Sequence, residues 1–399
     1  MTSNQSVRRI LTINTGSSSL KIAVYEEGRE EARMLSGTVE RIGGSGGRMR
    51  ITDGGKGTLT DEGRDIPDHR AALDAVFAWL ASQRPDMKFD AIGHRVVHGG
   101  RNNREPARVT PELIAVLQGA VALAPNHLPQ AILAMQTASK AFPDLPQVAC
   151  FDTGFHRSMP RTAQLYPLPR RLADEGMIRY GFHGLSYEFI VQELRTLAPK
   201  ECAGRVVIAH LGNGASMAAV LDGKSVDTTM GFTPIGGIMM GTRPGDLDPG
   251  VLLYLLTEQK MTPAALNELV VRQSGLQGVS DTSADMRDLL EKESTDGRAA
   301  EAVALFCYLA KKHLGALAAV LGGLDALVFT GGIGERAATV RLRICDGLDF
   351  LGIRLDTGRN EAHAPIISPD GSPVAVRVMQ TDEDLMIARH TRTLLGAGR

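Results

Sequence analysis

The stretch Ile10-Leu-Thr-Ile-Asn-Thr-Gly-Ser-Ser-Ser-Leu-Lys-Ile-Ala-Val-Tyr25 restricts the fold more than any other. Ile10, Leu11 and Ile13 lead into a polar loop; Leu20, Ile22, Ala23 and Val24 lead out of it. Short apolar runs around a Gly/Ser loop predict a β-hairpin. Gly16, Ser17, Ser18 and Ser19 give the loop little bulk and many donors, and Lys21 adds positive charge, so it can close around an anion. It is not the usual P-loop, because no Gly-Lys-Ser/Thr opens a helix here. Taken alone, such a hairpin is more commonly an ordinary turn.

The pattern recurs. Val206 to Lys224 again runs from an apolar segment into a Gly-rich polar loop (Gly212, Asn213, Gly214, Ser216), then a second apolar segment and a glycine turn. Loop glycine to turn glycine is Gly16 to Gly28 in the first copy and Gly212 to Gly223 in the second. Two phosphate-type hairpins, one in each half, point to a duplicated two-lobed fold with a ligand between the lobes.

The 399 residues suffice for about two or three domains. A formal charge of −1 gives no reason to expect a nucleic-acid partner, so any anion site must rest on local Arg and His. Cys150, Cys202, Cys307 and Cys345 are far apart, which suggests reduced cytoplasmic thiols, neither a zinc site nor a disulfide framework. The N-terminus lacks an apolar signal core, and no apolar run nears the roughly 18 residues that span a bilayer. The expectation is a cytoplasmic protein without a membrane partner.

Strand-like pieces follow the first hairpin to about Thr60, punctuated by Gly43-Gly44, Gly46-Gly47 and Gly54-Gly55. Helical spacing runs from His69 to Arg84. Thr110 as N-cap and Pro111 behind it start a helix that should end near Ala124, and another helix covers Ala131 to Ala141. Gln147 to Phe151 reads as a strand delivering Asp152 to its end. A helix from Leu185 to Leu197 follows His183. Met230 to Pro249 is a long Gly/Pro loop of the kind that is often functional. Helices are expected at Val251–Gln259, Pro263–Gln273 and Asp285–Glu291, and a largely internal one from Ala299 to Gly322. Ala326 to Thr330 reads as a buried strand opening into Gly331-Gly332-Ile333-Gly334, with a helix then running to about Gly347. A last strand, Val374 to Met379, precedes a helix that starts at Thr381-Asp-Glu-Asp384. The interleaving of strands and helices gives an α/β class.

The first hairpin, Gly93-His-Arg-Val-Val-His-Gly-Gly100, Phe151-Asp-Thr-Gly-Phe-His156, Tyr180-Gly-Phe-His-Gly184, Ala209-His-Leu-Gly-Asn-Gly214, Met240-Gly-Thr-Arg243 and Phe329-Thr-Gly-Gly-Ile-Gly-Glu335 together resemble the acetate kinase family, in that family's order and over nearly the whole chain. The resemblance implies a duplicated two-lobed actin-like (ribonuclease H-like) ATPase fold with the nucleotide in the interlobe cleft. It places a first lobe at 1–150, joined by the terminal helix 385–399, and a second, nucleotide-binding lobe at 151–384. It also implies a homodimer, ATP or ADP as substrate, and Mg2+ (Mn2+ as an alternative) as metal.

A kinase acting on a carboxylate must hold two anions in line, so it needs fixed positive charge that grips most tightly as charge spreads on the transferring phosphoryl. The arginine fork suits this, and lysine does not match its geometry. Arg95 at a strand end and Arg243 in the Gly/Pro loop are candidates, although a lone arginine is commonly a solvated surface charge. The resemblance assigns Arg95 to the substrate carboxylate and Arg243 to the phosphoryl. A lone histidine is commonly structural; the resemblance makes His183 a hydrogen-bond donor to the transition state and gives Asp152 an active-site role. No general base is needed, since the acid is ionised at neutral pH. Glu383 between Asp382 and Asp384 reads either as an acidic helix start or as a hard-oxygen metal ligand. Asn14 and Glu383 match metal-associated positions. Ser17, Ser19 and Lys21 then lie near the phosphates. His210, Leu211, Gly212, Asn213 and Gly214, Asp285, Met286 and Arg287, and Gly332, Ile333, Gly334, Glu335 and Arg336 match nucleotide-holding segments.

Val97, Phe182 and Pro234 match the family's small apolar acyl pocket. The family's Ala-Pro-Leu-His-Asn-Pro is here Ala124-Pro-Asn-His-Leu-Pro129, so His127 keeps its place while Asn126 replaces a pocket leucine. A buried amide without a partner costs about 1–3 kcal/mol, so Asn126 meets water, turns away, or meets a polar substrate group. Other departures are Tyr187 for a common His, Gly236 for Glu and Arg336 for Asn. The expected activity is reversible phosphoryl transfer from ATP to acetate by direct in-line displacement. Alternatives are a propionate- or butyrate-preferring acyl kinase, a route through a Glu383 phosphoenzyme, an actin-like ATP-binding switch, and an inactive family member.

Overall fold

A computed structural model describes residues 9–27, 31–54 and 57–396. The expected turns at Gly28 and Gly55 lie outside the described residues. The chain forms two compact units, Met1–Gly154 with Asp382–Arg399, and Phe155–Thr381.

The first unit is built on β1 (Arg9–Thr15), β2 (Ser19–Glu26), β3 (Ala32–Glu40), β4 (Arg48–Asp53), β5 (Gly57–Gly63), β6 (Ala91–Val96), β7 (Ala107–Arg108) and β8 (Gln147–Phe151). They make one sheet in the order β5-β4-β3-β2-β1-β6-β8-β7. β1 and β2 are the antiparallel hairpin, with Asn14 opposite Lys21 and Thr15 opposite Leu20. The Gly16 N–H donates to the Ser19 carbonyl at 2.8 Å, which closes the loop tightly. β6 then runs parallel to β1, and β8 parallel to β6. Parallel strands are covered on both faces. Under one face Leu11, Ile13 and Ile22 pack with Leu73 and Val76 of the helix His69–Gln83 and Ala134 and Ala138 of the helix Leu128–Ala141. Against the other lies the helix Glu383–Gly396, whose Ala388 meets Ile10, Ala23, Tyr25 and Ala91. Gly93 has to be bare for this: a Cβ there would sit 2.4 Å from Thr391 Oγ1 and 2.5 Å from Ile387.

The second unit repeats the plan with β9 (Arg205–Leu211), β10 (Ala215–Leu221), β11 (Lys224–Thr228), β12 (Ala326–Thr330) and β13 (Ala375–Val378) in the order β11-β10-β9-β12-β13. Three antiparallel strands are followed by two parallel ones, the same sequence as β3-β2-β1-β6-β8. The duplication read from the two hairpins is therefore a duplication of sheet topology.

Several elements depart from expectation. The helix Pro111–Gly119 stops short of Ala124 and a 3-10 turn covers Val121–Leu123. The next helix begins at Leu128, because Pro129 falls in the first turn where its missing N–H costs nothing. Gly275–Ser280 forms a short helix between the expected helices Pro263–Gln273 and Asp285–Glu291. The helix after β12 breaks at Ala337 into Gly331–Arg336 and Ala338–Cys345. The long helix Gly297–Leu321 is not largely internal: only a stripe including Val303, Phe306, Ala310 and Leu314 is buried, while Tyr308 and Val320 are exposed. One side lies on the rest of its unit and the other side does not. By length and composition it is the one helix among the described residues long and apolar enough to cross a membrane, a test that the core helix of a globular unit also passes, and Glu301, Lys311 and Lys312 interrupt its apolar run.

Candidate active site

In the first unit three parallel strands end at the same sheet edge, the edge at which open α/β sheets hold ligands. Asn14 lies near the end of β1, Arg95 near the end of β6, and Asp152 just after β8. The Arg95 guanidinium donates to Asp152 from Nε (3.0 and 3.1 Å) and from Nη2 (2.6 Å). Its Nη1 donates to Asn14 Oδ1 at 3.2 Å and lies 3.9 Å from Glu383 Oε2. Asn14 Nδ2 donates to Glu383 at 3.3 Å. Burial opposes the Arg95 charge, but Asp152 and Glu383 outweigh it and raise the guanidinium pKa above its ordinary value. Asp152, fully buried, is thus placed to orient Arg95.

The start of the terminal helix is clamped independently. Tyr25 Oη donates to Asp382 at 2.9 Å, Arg33 pairs with the same carboxylate, and Asp382 accepts from the Leu385 N–H at 2.9 Å. Burial pushes the Asp384 carboxyl up to about 6, with Lys21 working against that. Among the described residues no group of three or more His, Cys, Asp and Glu is arranged to hold a metal ion. A hard cation that keeps its waters needs only one or two carboxylates, and Glu383 with Asp384 fits that donor set. Asn14 fits less directly: Arg95 engages its oxygen and its nitrogen faces Glu383, so it orients the carboxylate. Ser17 and Lys21 are exposed on the hairpin and Ser19 is half-buried. Val97 is buried, His127 caps the helix Leu128–Ala141, and Asn126 is half-buried in the turn before it. Among the described residues the Asn126 amide makes no hydrogen bond through its side chain.

In the second unit His183 caps the helix Gly184–Leu197 in the left-handed conformation, φ +58°. Its Nδ1 is 2.8 Å from Ser216 Oγ, and its ring stacks on His210 at 4.3 Å between centroids. His210 Nδ1 is 2.8 Å from Ser186 Oγ. Arg243 Nη1 donates to the Pro234 carbonyl at 2.5 Å. Gly214 marks where these groups converge: a Cβ there would sit 2.8 Å from Arg243 Nη2 and 3.2 Å from His183 Nε2. Phe182 is fully buried and its carbonyl accepts from His156 Nε2 at 3.0 Å.

The same unit holds a cavity of about 510 Å³ lined by Gly212, Asn213, Asp285, Met286, Arg287, Gly332, Ile333 and Arg336. Ala284, Leu290 and Ala337 also line it; as small or apolar residues they carry no sequence signal. His210, Leu211, Gly214, Gly334 and Glu335 do not line it. Glu335 instead accepts from the Gly331 N–H at 3.0 Å and the Thr381 N–H at 3.4 Å, so its carboxylate ties the first residue of the helix Gly331–Arg336 to Thr381. Behind it, fully buried Arg341 donates to the carbonyls of Gly334 (2.8 Å) and Glu335 (3.0 Å) and to Asn360 Oδ1 (2.8 Å). Burial without a facing carboxylate pushes its pKa down to about 10. Sequence reasoning missed Arg341, and took Ser216 only for a loop residue.

The Acetokinase family model matches residues 9–389. The chain is 47% identical to the acetate kinase of Methylocella silvestris over 399 residues, covering 97% of this chain and 98% of that one. It is also 47% identical to an acetate kinase of Rhodopseudomonas palustris over 396 residues, covering 98% and 99%. Among solved structures it is similar to Porphyromonas gingivalis acetate kinase (36% identity, TM-score 0.87, 97% and 100% covered) and to a propionate kinase of Francisella tularensis (32%, 0.90, 97% and 99%). Each unit carries the repeated sheet of the actin-like ATPase fold. With the motifs in order and the match running nearly end to end, the chain belongs to the acetokinase family.

Proposed function

We propose that the protein transfers the γ-phosphoryl group of ATP reversibly and directly to acetate, giving acetyl phosphate and ADP. An oxygen of the acetate carboxylate forms the new bond to phosphorus while the bond from phosphorus to the β–γ bridging oxygen breaks, and ADP leaves with that electron pair. No proton has to move, because the acid is already ionised. Arg95, oriented by Asp152, grips the carboxylate. Arg243 and His183 stabilise the charge that spreads over the phosphoryl oxygens. The cavity of the second unit takes the nucleotide. Glu383 and Asp384 would hold Mg2+, or Mn2+ in its place, which neutralises phosphate charge when bound.

The observation that carries this reading is the convergence of Arg243 Nη2 and His183 Nε2 on Gly214. It puts a cation and a ring nitrogen beside one bare backbone position, next to the nucleotide-type cavity. The test is trapping of acyl phosphate as hydroxamate with Mg-ATP and acids from formate to butyrate. Product from acetate supports the reading; ATP binding without product from any acid would sink it. A preference for propionate is the second reading, and the similarity to a solved propionate kinase supports it.

Cytoplasmic placement is supported by four buried thiols with no disulfide among them. A homodimer is supported by the helix Pro249–Thr257, which buries none of its residues although Val251, Leu253 and Tyr254 are 46%, 61% and 55% exposed. Light scattering should give a dimer mass that Leu253→Glu lowers to that of one chain; a single-chain mass without the substitution overturns it.

A further inference from the structure

Tyr187 stands where the family commonly has histidine, and it is fully buried at the first turn of the helix that His183 caps. Its ring packs against Phe155 (5.8 Å between centroids) and His156 (5.5 Å). Its hydroxyl reaches Ser216 Oγ at 2.5 Å, and Ser216 Oγ reaches His183 Nδ1 at 2.8 Å. Ser216 is itself fully buried. Phenol, hydroxyl and imidazole form one chain, and the other imidazole nitrogen of His183 points to Gly214 beside Arg243.

The direction of the protons in this chain follows from what each group can do. Among the described residues the Tyr187 hydroxyl has a single acceptor within reach, Ser216 Oγ, so its proton goes there. Burial raises the phenol pKa, which keeps that proton in place at neutral pH. Ser216 Oγ, having accepted from Tyr187, has its own proton left to give, and the acceptor in the chain is His183 Nδ1. A neutral imidazole that accepts at Nδ1 carries its proton at Nε2. The reverse arrangement, with Nδ1–H donating to Ser216, would leave a buried hydroxyl proton with no acceptor in the chain, which the interior penalises.

We propose that Tyr187, acting through Ser216, is a positioning residue that fixes His183 in its Nε2–H tautomer, so that a donor and not a lone pair faces the transferring phosphoryl. The left-handed backbone of His183 is held by its surroundings, and the Ser216 contact to its ring is one restraint on it. His156 supplies the second restraint, by donating to the Phe182 carbonyl. The proposal rests on the reading of His183 as a transition-state donor, but its tautomer can be observed without turnover.

The experiment uses the full-length protein labelled with 15N at histidine, with the His183 signals assigned through His183→Gln. The expected spectrum shows His183 protonated at Nε2, and Tyr187→Phe moves it toward a mixture of tautomers while the melting temperature holds. In parallel, Tyr187→Phe should lower kcat at least about ten-fold with KM for both substrates held within about two-fold. Tyr187→His, which returns a ring donor, should recover most of the loss. An Nδ1–H tautomer in the unsubstituted protein, an unchanged tautomer in Tyr187→Phe, or an unchanged kcat each overturns the proposal. If the protein makes no acyl phosphate at all, the functional reading fails and the NMR result alone decides this one.

Discussion

Arg95 and Asp152 lie side by side through three hydrogen bonds of 2.6 to 3.1 Å, with the carboxylate fully buried and the guanidinium only 15% exposed. The pair joins the ends of two parallel strands and leaves the third guanidinium nitrogen for Asn14. Asp152→Asn keeps the shape but removes the counter-charge of a buried cation. Breaking such a pair costs about 3 kcal/mol or more, so the melting temperature should fall. KM for acetate should rise roughly ten-fold or more as Arg95 loses its orientation. Calorimetry and steady-state kinetics check both; an unchanged KM would show that Asp152 has no part in presenting Arg95.

Arg243→Ala should lower kcat by roughly 100-fold or more, with a smaller effect on KM for the acid, because Arg243 is assigned to charge that develops during transfer. A pure KM effect would contradict that assignment.

Asn126 is half-buried ahead of the helix Leu128–Ala141, at a position where an apolar pocket residue is expected. Asn126→Leu should improve kcat/KM for acetate relative to larger or polar acids. The comparison needs only the acid panel used for the functional test, and an unchanged ranking removes Asn126 from acyl selection.

Arg341→Met fills similar volume but strands the Gly334 and Glu335 carbonyls, which accept from the guanidinium at 2.8 and 3.0 Å. The cost should be at least about 2 kcal/mol. Gly332, Ile333 and Arg336 sit on the same short helix and line the cavity, so KM for ATP should rise while KM for acetate stays put. Equal changes in both would mean that Arg341 supports the unit as a whole.

Acid should destabilise the protein from an identifiable source. Burial pushes the pKa of His94, His98 and His156 down to about 4, from an ordinary 6.5. Below pH 6.5 the unfolded chain takes up protons that the folded chain refuses, so this stability is complete above 6.5 and is lost as pH falls toward 4. Each group contributes roughly 1.4 kcal/mol per pH unit across that window. Asp384, raised to about 6, and Asp227, raised by burial, act in the opposite sense but are two groups against three. Urea midpoints at pH 7.5 and 5.0 should differ clearly; equal midpoints would mean that these histidines protonate in the folded state.

Local pattern carried the elements that local chemistry specifies. Thr110 and Pro111 mark a helix start because capping is a matter of a few adjacent atoms, and the Thr110 hydroxyl does accept from Leu113. The break at Ala337 was invisible, and the Gly334 and Glu335 carbonyls beside it accept from Arg341, a partnership that depends on a side chain being drawn into the interior. The long helix Gly297–Leu321 reads as internal from composition, yet how much of an apolar helix is covered depends on what packs against it.

The sequence by itself determined the two hairpins and the duplicated α/β plan, since those follow from spacing and residue type along the chain, and its motifs in order carried the resemblance to the family. It also named Arg95, Asn14 and Glu383. Only the tertiary structure decided that Asn14 spends its amide on orienting Arg95 and Glu383, a partner 369 positions away. It likewise made Glu335 an anchor for the start of its own helix and joined Tyr187 to His183 through Ser216. Hydrogen-bond partnership depends on distances of about 3 Å, and the fold sets those between residues that the sequence leaves far apart.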